Sequence, residues 1–335
     1  MQTFADWVQF SVASAAVILF LVIIALLLVL IAKRGQKSKK NSISIECLNE
    51  SLQTQKDTLL EHVLKPKILT EHYKARKAEA KKKAKNTEER KRIFVLSFEG
   101  DIAATAGEAL REQITAILGI AQPTDEVVVR VESAGGMVHS YGLASSQLLR
   151  IRDRGLKLTA CVDKVAASGG YMMACVANKV VAAPFAIIGS IGAVSAIPNF
   201  HRLLKKHDVD YLELTAGEHK RTLSLFGEVT EQGKTKHQEQ LNLIHSLFKN
   251  HVAEYRPQSN MDQVATGEYW PAKVAMEHNL VDEIRTSDDL LISLTHNADV
   301  YLVKTEVPSS LKDRLVKQFT RALAELSSPL SQWIG

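Results

Sequence analysis

From Trp7 to Ala32 the chain runs for 26 residues without a charged side chain, and the centre of the run reads VILFLVIIALLLVLIA. In hydrocarbon every backbone amide must be satisfied internally, so a run of this kind is confined to a helix. At ~1.5 Å per residue such a helix spans ~39 Å, more than the ~30 Å of a bilayer core. A cleaved leader has a shorter apolar region of ~7–15 residues and a small-residue cleavage site. Here the run passes through Ile31-Ala32 straight into Lys33-Arg34. Residues 7–32 are therefore predicted to be a retained single-pass anchor in the lipid bilayer, with residues 1–6 as a short tail.

Charge divides the rest of the chain. The formal net charge is +5. Residues 33–92 hold 18 Lys+Arg against 8 Asp+Glu, a net of +10, while residues 93–335 hold 24 against 28, a net of −4. Positive charge is thus a property of a connector beside the anchor and not of a folded body. No nucleic-acid partner is expected. The connector is polar and helix-favouring, is divided by Pro66, and has almost no apolar face in its second half, YKARKAEAKKKAKNTEERKR. It is predicted to be a solvated helical stalk, and its cations are suited to anionic lipid head groups. Lys33, Arg34, Lys37, Lys39 and Lys40 follow the anchor and no Lys or Arg precedes it. By the positive-inside rule, that asymmetry puts the bulk of the chain in the cytoplasm.

At Ile93 the texture changes. IFVLSFEGDI, DEVVVRVES and LKLTACVD read as strands. Between them lie helical patterns: GEALREQITAILGI, with Leu110, Ile114, Ile117 and Leu118 on one face, and MVHSYGLASSQLLRIRDRG, stopped by Gly155. Strands alternating with helices indicate right-handed βαβ units and a parallel sheet, hence an α/β fold. Further on, SGGYMMACVAN reads as helix, KVVAAP and IIGSIGAV as short apolar segments, FHRLLKKH as helix and VDYLELT as strand. A mostly helical stretch follows, through TEQGKTKHQEQLNLIHSLFKNHVAEY and PAKVAMEHN. Residues 93–305 form the expected globular domain. Residues 306–335 carry a basic amphipathic helix with Leu311, Leu315, Phe319, Ala322 and Leu326 on one face, capped by Ser309 or Ser310.

Cys47, Cys161 and Cys175 form no C-x-x-C and no His/Cys cluster with zinc spacing. They are expected to be idle thiols, and neither metal nor cofactor is implied. The chemistry is sought instead at two glycine-rich turns that follow apolar strands: Ser133-Ala134-Gly135-Gly136 and Ala166-Ala167-Ser168-Gly169-Gly170. In an open parallel sheet ligands sit at the carboxyl ends of strands. Neither turn is a G-x-G-x-x-G, a phosphate loop or a G-x-S-x-G elbow, so a nucleotide is not the expected ligand. Ser168, between small residues at a helix start, is a candidate nucleophile, although a Ser there also suits an N-cap. Gly169, with Gly135 or Gly136, offers N–H groups for a developing oxyanion. The base is open at this stage: His139, His201, His207 and His219 are available, as is Lys220 if burial keeps its amine neutral.

Taken together, A-A-S-G-G-Y at 166–171, S-x-G-G at 133–136, I-G-S-I-G at 188–192, A-G-E-H-K at 216–220, G-E-Y-W at 267–270 and N-L-V-D at 279–282 resemble the signal peptide peptidase A family of membrane-bound serine proteases. The resemblance covers about Ile93 to Ile284. It implies a ClpP/crotonase-type spiral of βαβ units, Ser168 as nucleophile, Lys220 as general base and Ser190 as the group that orients the lysine. The oxyanion hole would be made by Gly135, Gly136 and Gly169. It also implies a homo-oligomeric ring in which the lysine can reach a neighbour's serine, and peptide or protein substrates such as signal-peptide remnants or membrane-protein fragments. The expected location is a bacterial inner membrane with the active site facing the periplasm, opposite to the side that the lysines indicate. Two departures are visible. The first turn reads S-A-G-G where the family usually has S-P-G-G, and the chain holds one protease unit, not two in tandem. Two other readings stand beside it: a crotonase-like acyl-CoA enzyme that shares the glycine-turn oxyanion hole, and a non-catalytic membrane scaffold whose stalk, residues 33–92, and terminal helix bind partners.

Overall fold

The computed structural model describes residues 42–85, 90–217 and 219–306. The anchor expected at 7–32 and the amphipathic helix expected within 306–335 lie outside them, apart from Glu306 itself. Among the described residues no helix is long and apolar enough to cross a membrane.

The described residues begin with β1 (Ser42–Cys47), α1 (Leu48–Val63) and α2 (Pro66–Lys85), then alternate through β2 (Arg92–Gly100), α3 (Gly107–Ile120), β3 (Glu126–Ser133), α4 (Val138–Asp153) and β4 (Lys157–Val162). The catalytic-looking stretch follows as β5 (Val165–Ala167), α5 (Gly169–Ala174), β6 (Lys179–Ala182) and β7 (Ile187–Gly189). The remainder is α6 (His201–Lys206), α7 (Glu231–Tyr255), α8 (Met261–Val264), β8 (Tyr269–Pro271), α9 (Ala272–Glu277), β9 (Glu283–Ile284), α10 (Ser287–Thr295) and β10 (Asp299–Glu306). The main sheet runs β1-β10-β2-β3-β4-β6-β9, and a short layer pairs β5 with β3 and β7, and β7 with β8. From β10 to β9 the main sheet is parallel, as the strand–helix alternation requires.

Its strands are apolar on both faces, as strands covered on both sides must be. Phe94, Leu96, Val127, Val129, Leu158 and Val180 face one core, into which α3 buries Leu110, Ile114 and Ile117. Ile93, Val95, Val128, Cys161 and Val181 face a second core with Leu290 and Leu291 of α10. Cys161 and Cys175 are buried, and burial pushes both thiols up to about 12, so neither is a thiolate at neutral pH.

Two sequence expectations change. SISIEC at 42–47, read with the stalk, is β1, and the Asn49 side chain ties the start of α1 to this sheet. Its Nδ2 donates to Thr295 O and Ala298 O, both at 3.0 Å, and its Oδ1 accepts from Val300 N at 2.8 Å. VDYLELT at 209–215, read as a strand, is irregular, with Leu212 and Leu214 81% and 85% exposed. Its apolar residues suit a strand, but it joins no sheet edge and its ladder bonds are not made.

The N-L-V-D motif closes the sheet. Arg256, 4% exposed, donates to both carboxylate oxygens of Asp282 at 2.7 and 2.9 Å and to Asn279 O. Asp282 in turn accepts the Val180 amide at 2.7 Å. Burial alone would raise the Asp282 carboxyl, but these bonds prevail and hold it below the usual carboxylate range. A depressed carboxyl stabilises the fold above its unfolded pKa of ~3.9 and loses that contribution as pH falls through the folded value. Thermal unfolding of Asp282→Asn should therefore lie below the parent's at neutral pH, with the gap closing towards pH 3. A constant gap would mean that the carboxylate's charge is not what matters.

Candidate active site

Three features converge where β3, β5 and β7 end. Ser168 lies between β5 and α5 with φ 51° and ψ −121°, a region rarely entered by a residue with a Cβ. Such strain costs roughly 1–3 kcal/mol and persists only where the surroundings impose it. Here Ser168 N donates to Gly189 O at 2.8 Å and Met172 N donates to Ser168 O at 2.9 Å, locking the turn on both sides. The Ser168 side chain makes no cap bond to α5, so the hydroxyl is not spent as an N-cap.

The first glycine turn packs directly on this serine. Gly135 has φ +93°, and a Cβ there would lie 2.6 Å from Gly169 N and 2.7 Å from Ser168 Cβ. Gly136 is pressed on Ile102, whose carbonyl carbon would lie 2.7 Å from an added Cβ. Glycine is required at both positions by space, and at Gly135 by φ as well. Gly135→Ala is thus expected to destabilise the fold by about 1–3 kcal/mol, read as a lowered thermal midpoint. A parental midpoint would show that the turn does not need glycine there.

Ser190 arrives from the other side. It too has a positive φ, 53°, and its N–H donates to Glu268 O at 2.6 Å. The antiparallel pairing of β7 with β8 fixes it, with Gly189 opposite Tyr269. The G-E-Y-W motif is therefore the strap that holds Ser190 in position.

Ser168, Ser190, Gly136 and Gly169 line one cleft of about 330 Å³. Its other walls are Met137, Val138, Met172, Gly192, Ala193, Val194, Leu241, Ile244, Phe248 and Gly267. The apolar share of this list suits aliphatic side chains of an extended substrate. The two glycines of the first turn differ. Gly135 N–H donates to Ser133 Oγ at 3.0 Å and is already occupied. Gly136 and Gly169 both line the cleft, and neither N–H has a hydrogen bond among the described residues, the latter being at a helix start with no preceding turn to accept it.

No His, Lys, Asp or Glu is among the residues lining the cleft. His201 instead meets Phe226 O, and His237, which sequence reading passed over, meets Ser195 Oγ and Thr222 Oγ1. Lys220 is exposed, in the irregular segment after the expected strand. Within one chain the structure brings together Ser168, Ser190 and the glycine turns, and leaves Lys220 outside the cleft wall.

Comparison with known proteins places the chain in a family. Residues 2–148 match the description "Peptidase family S49 N-terminal", and residues 150–301 match "Peptidase family S49". A Haemophilus influenzae protein named "Probable protease SohB" is 47% identical over 320 residues, which cover 92% of this chain and 90% of that protein. The chain belongs to peptidase family S49. Further S49 relatives of the same name occur in Buchnera aphidicola. One, from the Schizaphis graminum subspecies, is 44% identical with 85% of each chain covered. Another, from the Acyrthosiphon pisum subspecies, is 48% identical with 70% of each covered. The resemblance drawn from the motifs thus holds at the level of family, and protease is the activity named for these relatives.

Proposed function

We propose that this S49 chain is a membrane-anchored serine endopeptidase using a Ser168–Lys220 dyad on a ClpP/crotonase-type spiral. The observation that carries the reading is the strained Ser168 beside two unspent N–H groups in an apolar cleft. In the proposed reaction Ser168 Oγ attacks the scissile carbonyl and passes its proton to the Lys220 amine, which Ser190 orients. The oxyanion is received by Gly136 and Gly169 N–H. The lysine then protonates the leaving amine, and water hydrolyses the acyl-enzyme with the same base.

The empty position for a base favours a lysine supplied by the neighbouring subunit of a ring. Support comes from the exposure of Lys220 and from the apolar surface on the same segment, where Leu212 and Leu214 are 81% and 85% exposed, and on the loop before α6, where Val194 is 91% exposed. Substrates on this reading are peptides with small or apolar residues before the cut, such as signal-peptide remnants or membrane-protein fragments. Residues 7–32 would hold the ring in a bacterial inner membrane on the basic stalk. A serine-reactive phosphonate should label Ser168 covalently, and unlabelled Ser168 in folded, full-length protein would overturn the assignment. A reporter active only outside the cytoplasm, fused after Gly335, decides between the periplasmic and cytoplasmic sides.

A further inference from the structure

The proposed reaction needs two N–H groups at a fixed spacing, and a buried relay runs beneath them. Gly135 N–H donates to Ser133 Oγ at 3.0 Å, Ser133 Oγ lies 2.5 Å from the Tyr141 phenol oxygen, and that phenol donates to Asp101 O at 2.7 Å. A phenol has one hydrogen and a carbonyl only accepts, so the Tyr141 hydrogen goes to Asp101. The single Ser133 hydrogen is shared between Tyr141 Oη at 2.5 Å and Gly100 O at 3.3 Å, while the Ser133 oxygen accepts Gly135 N–H. The relay thus links the glycine turn to the backbone at Gly100 and Asp101. Ser133 and Tyr141 are 2% and 0% exposed, so an unmade bond here has no water to replace it. Burial also pushes the Tyr141 phenol up, which keeps the relay protonated at neutral pH.

The same tyrosine touches the second donor. A Cβ on Gly169 would lie 2.8 Å from Tyr141 Cβ and Cδ1, so the ring sits flush against the backbone that carries Gly169 N–H. Phe98 backs the ring edge-on, with centroids 6.1 Å apart. Tyr141 therefore meets one donor through its ring and the turn bearing the other through its hydroxyl and Ser133.

Resting on the reading of Ser168 as nucleophile, we propose that Ser133 and Tyr141 are positioning residues that fix the spacing of the Gly136 and Gly169 N–H groups. Neither touches substrate. Spending Gly135 N–H on Ser133 holds the turn so that Gly136 N–H remains as the donor. Donors aimed before charge develops need no reorganisation as it forms.

The test uses full-length Tyr141→Phe, Ser133→Ala and Ser168→Ala. Steady-state peptide hydrolysis is measured together with inhibition by a peptide aldehyde. Addition of Ser168 Oγ to the aldehyde carbon leaves an oxygen where the oxyanion would sit. Because the donors are displaced and not deleted, kcat should fall about 10- to 100-fold in Tyr141→Phe, with KM within about twofold. Aldehyde affinity should fall by the same factor as kcat/KM. A general loosening of the fold would not produce that parallel. Tyr141→Phe keeps the ring against Gly169 and decides the matter even if Ser133→Ala does not fold. Parental kcat in folded Tyr141→Phe, or a loss of kcat without a matching loss of aldehyde affinity, overturns the positioning role. If that happens while Ser168→Ala is inactive, only this inference falls. If Ser168→Ala hydrolyses peptide as the parent does, the reading of Ser168 as nucleophile falls first.

Discussion

Ser168→Ala is expected to lower kcat for peptide hydrolysis by at least about 10³-fold and to abolish labelling by a serine-reactive phosphonate, the scale seen when a nucleophile is removed and only binding and oxyanion donors remain. The substitution keeps the Cβ, so the unusual backbone at φ 51° is not relieved and thermal stability should stay close to the parent's. That separates loss of chemistry from loss of fold. Full turnover in the variant would remove Ser168 from the mechanism.

The second large effect concerns the base. Lys220→Ala alone should be as inactive as Ser168→Ala, because a serine hydroxyl without a base is a poor nucleophile at neutral pH. The informative experiment mixes the two inactive proteins and lets them assemble together. In a ring with head-to-tail contacts, about a quarter of the sites would pair an intact Ser168 with a neighbour's intact Lys220, so roughly a quarter of parental activity should return. If the dyad forms within one chain, every mixed site stays dead. No recovery after verified co-assembly would therefore overturn the shared site. Activity in Lys220→Ala alone would remove Lys220 as the base.

The strand–helix alternation from Ile93 was legible because both periods were strong there. Ile114 and Ile117 of α3 and the run Val127–Val129 of β3 are buried as their pattern requires. The motif residues around Ser168 and Ser190 were legible as a set, and the two do line one cleft. Three things were not legible. Ile43 and Ile45 alternate with serines, but lysines on both sides make a count over 33–92 read the stretch as stalk. Val209, Tyr211 and Leu214 look like strand residues, yet a strand exists only where an edge is free to receive it. The unequal roles of Gly135 and Gly136 depend on where one hydroxyl points, which no spacing encodes. Ser133 could have been noticed as the first residue of S-A-G-G. Tyr141 could have been noticed as the one aromatic on the helix that follows.

The clamp at Asn49 bears on where a shorter fragment of the chain can begin. Starting a soluble fragment at Ile93, where the charge profile changes, would discard β1 and the side chain that meets Thr295 O, Ala298 O and Val300 N. The rim of β10 would then be a bare edge, open to pairing with any extended chain. The leading segment is a selvedge: Ser42 to Asn49 hems the sheet as the chain enters α1.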